Sequence, residues 1–187
     1  LHPTEDEIDP AVRIGGLEGN PVAEDMLEAA QQTHVDYIIN TVLNRENEIA
    51  AVFAGELSAA HIEATKLAHK QFAADISEQA DIVIAASPST QNFVQTHKAL
   101  FNAYQAVKPD GRIILLAPGP EGLGGDQFAK WLKLGSRDAI IAGLRKESEI
   151  NGQTALSTIQ KAPITYVVSE MTDDEVRMMR GRTARSF

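Results

Sequence analysis

The first half of the chain alternates between helical and strand-like patterns of apolar positions. A helix is predicted to begin after Asn20, because Asn is a favoured N-cap residue and Pro21 suits the first helical position. The β-rich runs HVDYIINTVLN and EIAAVFAG follow, and the polar residues RENE between them predict a β-hairpin. The next run, SAAHIEATKLAHKQFA, returns to helical spacing, and Ser58 is its predicted cap.

Strands and helices alternate in the second half. The run DIVIAA is short and wholly apolar, which is typical of a parallel strand buried on both faces, and a helical pattern then continues to about Val107. The turn KPDG and a second apolar run, RIILLA, complete a βαβ crossover. Three helical patterns come next, before the predicted parallel strand ITYVVS and the capped final helix TDDEVRMM.

Together these elements predict an α/β fold. We expect a doubly wound, mostly parallel sheet of about five strands flanked by helices, with a β-hairpin near the N-terminal side. Residues 1–19 are punctuated by Pro and Gly and are predicted to be an extended arm, whereas residues 20–187 are predicted to form one domain.

Composition narrows the classes of partner. The net charge of -9 disfavours a nucleic-acid partner, which requires a clustered basic surface. The chain has no cysteine, so disulfides and thiolate metal sites are excluded, and we expect a cytoplasmic protein. No apolar run approaches the roughly 18 to 20 residues that span a bilayer, so no membrane partner is expected. Histidine spacing such as H-E-x-x-H is absent, and we therefore predict no metal site in this chain.

The helix after DIVIAA carries the strongest candidate site, because open α/β sheets bind ligands beyond the carboxyl ends of their strands. Amides and one lysine share a stripe of this helix, whereas His97 lies on the apolar side and is predicted to be a packed core residue. Gln95 and Lys98 point the same way, and a cation beside amides suits a small polar anion. A polar face that simply meets water is the alternative. The stripe consists of Gln91, Gln95, Lys98, Asn102 and Gln105.

A glycine-rich loop, GPEGLGG, follows the second central strand. It lacks the Lys-Ser/Thr ending of a P-loop, and its glycines do not match the dinucleotide-binding fingerprint. The two interpretations are a mobile loop over the sheet edge and a lid over a ligand. Phe128 and Trp131, just beyond the loop, are predicted to anchor a short helix in the core.

Six motifs occur in a particular order between about Gly15 and about Arg185. They are GGLEGNPVAEDMLEAA, DYIINTVLNRENEIAAVFAGELSAAH, DIVIAASP, NFVQTHKALFNAYQAVKPDGRIILLAP, EGLG and FAKWL. In combination they resemble the latter part of the lactate racemase family, the nickel-pincer-nucleotide enzymes. The resemblance implies a two-domain enzyme that racemises or epimerises a 2-hydroxy acid. In that reaction a nickel ion held in a modified nicotinic acid nucleotide takes the hydride from Cα, and a histidine takes the hydroxyl proton.

The resemblance also implies site residues. The family's Tyr-Gln-x-x-Lys pattern lines the substrate side of the cleft, and its positions fall on Val94, Gln95 and Lys98. We therefore expect Lys98 to hold the substrate carboxylate or the developing keto oxygen, and Gln95 to orient the substrate. Val94 in place of tyrosine, together with the short loop 87–90, implies a substrate other than lactate or a reduced activity.

The family's cofactor lysine, nickel histidine and general-base histidines belong to an N-terminal domain that precedes the GNPV helix. Residues 1–19 would then be the linker from this missing cofactor-binding domain, which is one expected partner beside a small 2-hydroxy acid. We expect no nickel-pincer nucleotide and no metal bound to this chain, and no activity from it alone. Two alternatives are a non-catalytic ligand-binding or interaction module of the same fold, and a nucleotide-dependent transferase suggested by VKPDGRIILL.

Overall fold

A computed structural model describes residues 5–185, which form two compact units. The N-terminal unit comprises residues 8–75, and the C-terminal unit comprises residues 76–185 together with residues 5–7. The boundary falls inside the range 20–187, which the sequence analysis treats as one domain. No cluster of Pro, Gly or Ser marks it, since the chain reads AADISEQA there, and the pattern of residue types therefore carries no signal of a division.

The N-terminal unit contains two helices and a hairpin, namely α1 (Pro21–Gln31), β1 (Ile38–Leu43), β2 (Ile49–Gly55) and α2 (Leu57–Phe72). The predicted start of α1 is confirmed, because the side chain of Asn20 accepts hydrogen bonds from the backbone N–H groups of Val22 and Ala23. The predicted cap of α2 is wrong. Glu56 caps that helix, because its longer carboxylate reaches the first free N–H groups and accepts from Ser58 N at 3.0 Å.

The predicted hairpin is confirmed. Strands β1 and β2 are antiparallel, with Ile39 opposite Ala54 and Val42 opposite Ala51. The side chain of Asn44 closes the turn by accepting hydrogen bonds from the N–H groups of Glu46 and Glu48. One face of the hairpin packs against α2.

The C-terminal unit is built on a four-stranded parallel sheet in the order β3-β4-β5-β6. Its strands are β3 (Ala80–Ala86), β4 (Val107–Leu116), β5 (Thr165–Val168) and β6 (Arg182–Ala184), and α3 (Phe93–Ala106) is the predicted crossover helix between β3 and β4. The remaining helices are α4 (Asp126–Leu132), α5 (Arg137–Lys146), α6 (Ile150–Lys161) and α7 (Asp173–Met178). The sheet has four strands, and the hairpin forms a separate two-stranded sheet.

Helix α3 packs against β3 and β4 through a fully buried core. Its Phe93 and Leu100 are 1% and 0% exposed, and Ile113 and Leu115 of β4 are equally enclosed. The other face of β3 is open. The expectation that this strand is buried on both faces is therefore wrong, because α3 covers one face and Ile82 and Ile84 on the other face are exposed. Within residues 5–185, no helix has the length and apolar character needed to cross a bilayer.

Candidate functional site

The candidate site lies on α3, directly beyond the carboxyl end of β3. Asn92 has extended backbone angles and caps the helix by accepting a hydrogen bond from Gln95 N at 3.3 Å. The hydroxyls of Thr90 and Thr96 lie 2.7 Å apart, and Thr90 also donates to the carbonyl of Ser87. These bonds fix the loop before the helix, and with it the direction in which the first turn of α3 presents its side chains.

Gln95 and Lys98 are both exposed and are in contact with each other. The ammonium of Lys98 donates to Oε1 of Gln95 at 2.9 Å, as their spacing of three residues on a helix allows. Among residues 5–185, no carboxylate lies within ion-pair distance of Lys98. An ammonium has three N–H donors, so two remain for a ligand. These two donors are therefore open to solvent, and binding of a small anion by the pair stays a prediction.

The glycine-rich loop is tied to the start of α3. Glu121 N donates to the carbonyl of Gln91, and Phe93 N donates to the carbonyl of Gly122, both at 2.9 Å. On its other side, the carboxylate of Glu175 accepts from the backbone of Leu123, which contributes, after the Thr172 hydrogen bonds, to the lowered pKa of Glu175. These contacts tie the loop to the start of α3 and to α7, and the mobile loop and the lid stay the two predictions.

A buried polar network lies on the side of α3 opposite Gln95 and Lys98. Nε2 of His97 is 3.0 Å from the hydroxyl of Ser157, which accepts a hydrogen bond of 2.8 Å from the ammonium of Lys161. Burial, and then the positive charge of Lys161, lower the pKa of His97 to about 4. His97 is thus neutral near pH 7, and the prediction that it packs in the core is confirmed.

Lys161 is a buried cation near the candidate helix that the sequence pattern does not predict. It is 6% exposed, and burial lowers its pKa. Its ammonium lies 5.1 and 5.2 Å from the ring centroids of Phe101 and Tyr104, and the last turn of α6 adds a favourable dipole. The aromatic residues along α3 are the sequence feature that could have indicated this buried lysine. A buried ammonium that contacts no carboxylate is stabilised instead by aromatic π faces or by carbonyl oxygens.

Two aromatic residues beyond the loop pack as predicted. Phe128 is 1% exposed and stacks on Phe93, with ring centroids 6.2 Å apart. The indole N–H of Trp131 donates to Glu149, the residue that also caps α6. Phe128 therefore joins α4 to the base of the candidate helix.

A separate groove of about 510 Å³ lies in the N-terminal unit between α1, α2 and β1. Apolar side chains such as Met26, Leu27 and Ile62 dominate its lining, with His61 among the few polar groups. A small 2-hydroxy acid requires several donors for its carboxylate and hydroxyl. The face with Gln95 and Lys98 suits such an anion better than this groove does.

Residues 5–185 contain no group of three His, Cys, Asp or Glu side chains placed to hold a metal ion. The described residues therefore do not fit a nickel site by themselves.

Known proteins of one family resemble this chain. Residues 76–186 match the family described as the lactate racemase C-terminal domain. The chain is 34% identical over 127 residues to lactate racemase of Thermoanaerobacterium thermosaccharolyticum, covering 66% of this chain and 30% of that protein. It is 33% identical over 122 residues to lactate racemase of Lactiplantibacillus plantarum, covering 64% of this chain and 28% of that protein.

A solved structure resembles most of the chain. The lactate racemase apoprotein of Thermoanaerobacterium thermosaccharolyticum superposes with a TM-score of 0.81 and 28% identity. The similarity covers 94% of this chain but 45% of that one, so the chain spans less than half of its solved relative. Because the family match extends over more than half of its residues, the chain belongs to the lactate racemase C-terminal domain family.

Proposed function

We propose that this chain supplies the substrate-orienting part of a 2-hydroxy acid racemase or epimerase. The observation that carries the proposal is the exposed pair Gln95 and Lys98, which lies beyond the carboxyl end of β3. Membership of the lactate racemase C-terminal domain family supports the reaction class. The hydrogen-bonded loops at the start of α3 support a site that is formed before the substrate binds.

Lys98 is proposed to donate a charge-assisted hydrogen bond to the substrate carboxylate or to the developing keto oxygen. Such a bond contributes about 1.5 to 3 kcal/mol. If the bond strengthens as charge develops on the oxygen, it lowers the barrier as well as aiding binding. Gln95 holds the ammonium at 2.9 Å, and its amide N–H₂ is left to contact the same ligand.

The rest of the catalytic machinery is proposed to lie in an N-terminal cofactor-binding domain of the same polypeptide. When bound there, the nickel-pincer nucleotide would supply the acceptor for the substrate hydride. This chain's own residues bind and orient the 2-hydroxy acid, and we expect no turnover from the chain alone. The coverage of 28 to 30% of the curated relatives supports a longer parent protein.

The substrate is proposed to differ from lactate. Val94 is half-buried beside Gln95 and has no hydroxyl, so it offers the ligand an apolar contact where a tyrosine would offer a hydrogen bond. This replacement also favours the second candidate, a non-catalytic binding module of the same fold. The transferase alternative gains no support from the family match.

The test is an assay of the full-length parent protein carrying its nickel cofactor. Single enantiomers of a series of 2-hydroxy acids are incubated with the protein and separated by chiral chromatography. Racemisation or epimerisation of at least one acid is the expected result. If the cofactor-loaded protein binds 2-hydroxy acids but interconverts none, the second candidate, a non-catalytic binding module, replaces the proposed racemase or epimerase.

A further inference from the structure

The N-terminal unit has very little core of its own. Among its described residues, the buried apolar side chains are Val42, Ala60 and Ala64, and α1 buries no side chain. A two-stranded sheet is at best marginally stable in water without further packing, and small units need an external source of stability. Packing against an apolar surface from elsewhere would therefore add to the stability of residues 8–75.

One exposed face of the hairpin is the place where such an apolar surface could pack. Side chains alternate along a strand, so the face turned away from α2 is formed by three cross-strand pairs, and we call it the outer hairpin face. Its aliphatic residues are exposed, with Ile39, Ile49 and Val52 at 67%, 64% and 55%. It carries no charge. The pairs are Ile39 with Ala54, Thr41 with Val52, and Leu43 with Ile49.

Two further features of the N-terminal unit lack a partner among the described residues. Within residues 5–185, β1 and β2 pair only with each other, so both strands keep a free edge. The apolar groove of about 510 Å³ adds a second uncovered surface on the same unit. A clustered, uncharged and uncovered surface such as the outer hairpin face marks an interaction site rather than ordinary scatter of apolar residues.

We propose that the outer hairpin face is covered by the polypeptide that precedes this chain in the full-length protein. The inference depends on the proposed longer parent. The solved relative matches 94% of this chain, including most of the N-terminal unit, yet more than half of that relative lies outside the match. Enough polypeptide is therefore available to cover the face. A small polar ligand is excluded as the occupant, because the face offers it no charged donor or acceptor.

The experiment places a carboxylate on the outer hairpin face of the full-length protein. Ile39→Asp and Val52→Asp are compared with Ile150→Asp, whose isoleucine is 77% exposed in the C-terminal unit. In the full-length protein, each hairpin variant is expected to melt about 5 °C or more below the Ile150 control, because an unpaired charge is buried. In the 187-residue chain, the same variants should melt within about 1 °C of the control.

Other outcomes overturn the proposal. Equal melting temperatures of hairpin and control variants in the full-length protein would show that the face remains in solvent. A 187-residue chain that is dimeric by sedimentation, and becomes monomeric with Ile39→Asp, would assign the face to a second copy instead.

A second measurement, on the unmodified proteins, tests the proposal even if the variants fail to fold. Amides of β1 and β2 in the unmodified proteins should exchange hydrogen at least about tenfold more slowly in the full-length protein than in the 187-residue chain. Equal exchange rates in the two proteins would refute the proposal that the preceding polypeptide covers the outer hairpin face. Neither readout involves turnover, so a full-length protein that protects the hairpin but racemises nothing would contradict only the proposed activity.

Discussion

The two units of this chain use similar apolar patterns and reach different degrees of burial. In the C-terminal unit, α3, α4 and the sheet enclose large side chains such as Phe93, Leu100 and Phe128. In the N-terminal unit, the apolar residues of the outer hairpin face are exposed. An apolar pattern thus predicts which face of an element is meant to be covered, but it does not say whether the cover is supplied by the same stretch of chain.

The difference bears on function, because the candidate residues stand on the better-packed unit. Gln95 and Lys98 project from a helix whose opposite side is anchored by Leu100 and by the network of His97, Ser157 and Lys161. A site built on a helix with a buried base keeps its geometry better than a site on a loop. The N-terminal unit, by contrast, exposes an apolar face that is suited to packing against another stretch of polypeptide.

The largest expected contrast is in core substitutions. Leu100→Ala should lower the free energy of unfolding by about 2 to 5 kcal/mol, because Leu100 is completely enclosed. Met26→Ala, at a residue that is 68% exposed in α1, should change it by about 0.5 kcal/mol or less. Urea unfolding of the 187-residue chain followed by circular dichroism measures both, and the fluorescence of Trp131, the single tryptophan, reports the C-terminal unit separately. Similar losses for the two variants would erase the contrast between the units.

The second prediction concerns acid. The pKa of His97 is lowered from 6.5 to about 4 in the folded protein, so the unfolded chain takes up the proton first as pH falls. The stability contribution is complete above about pH 6.5 and is lost progressively down to about pH 4, by about 3 kcal/mol. His97→Gln should remove this part of the pH dependence. Urea midpoints at pH 7.0 and 4.5 test it, and an unchanged pH dependence in the variant would rule out His97 as the source.

A smaller difference in stability is expected between alanine substitutions at two glycines with similar backbone angles. Gly122 in the C-terminal unit and Gly19 in the N-terminal unit have φ of 61° and 69°. An alanine at either position costs roughly 1 kcal/mol of backbone strain. At Gly122 the new methyl would also collide with the carboxylate of Glu175, whereas at Gly19 it would meet open space. Gly122→Ala should therefore destabilise more than Gly19→Ala in thermal melts, and the reverse order would mean that the loop moves away.

Local sequence patterns are sufficient to predict most of the helices and strands. The start of α1 follows from Asn20 and Pro21, and the βαβ crossover follows from two apolar runs around one helical pattern. Strand β6, at Arg182–Ala184, was not predicted because three residues are too few to show alternation. The exposed face of β3 could not be predicted, because an apolar run does not reveal whether a helix covers one face of its strand or both.

The site was predictable only in part. Helical spacing alone put Gln95 and Lys98 on one face, and the structure places them in contact. Their catalytic role remains a prediction. Lys161 escaped notice because its position at the end of α6 reads as solvent-facing, and only the packing of α6 against α3 brings it over two aromatic rings.

The most direct test of the proposed role is the effect of Lys98→Ala on turnover by the cofactor-loaded full-length protein. Lys130→Ala is the matched control, because Lys130 is an exposed lysine of α4 in the same unit. Loss of a charge-assisted hydrogen bond predicts that kcat/KM for the preferred 2-hydroxy acid falls about 10- to 150-fold in Lys98→Ala, with little change in the control. Equal kcat/KM in the two variants would contradict the assignment of Lys98 to the reaction.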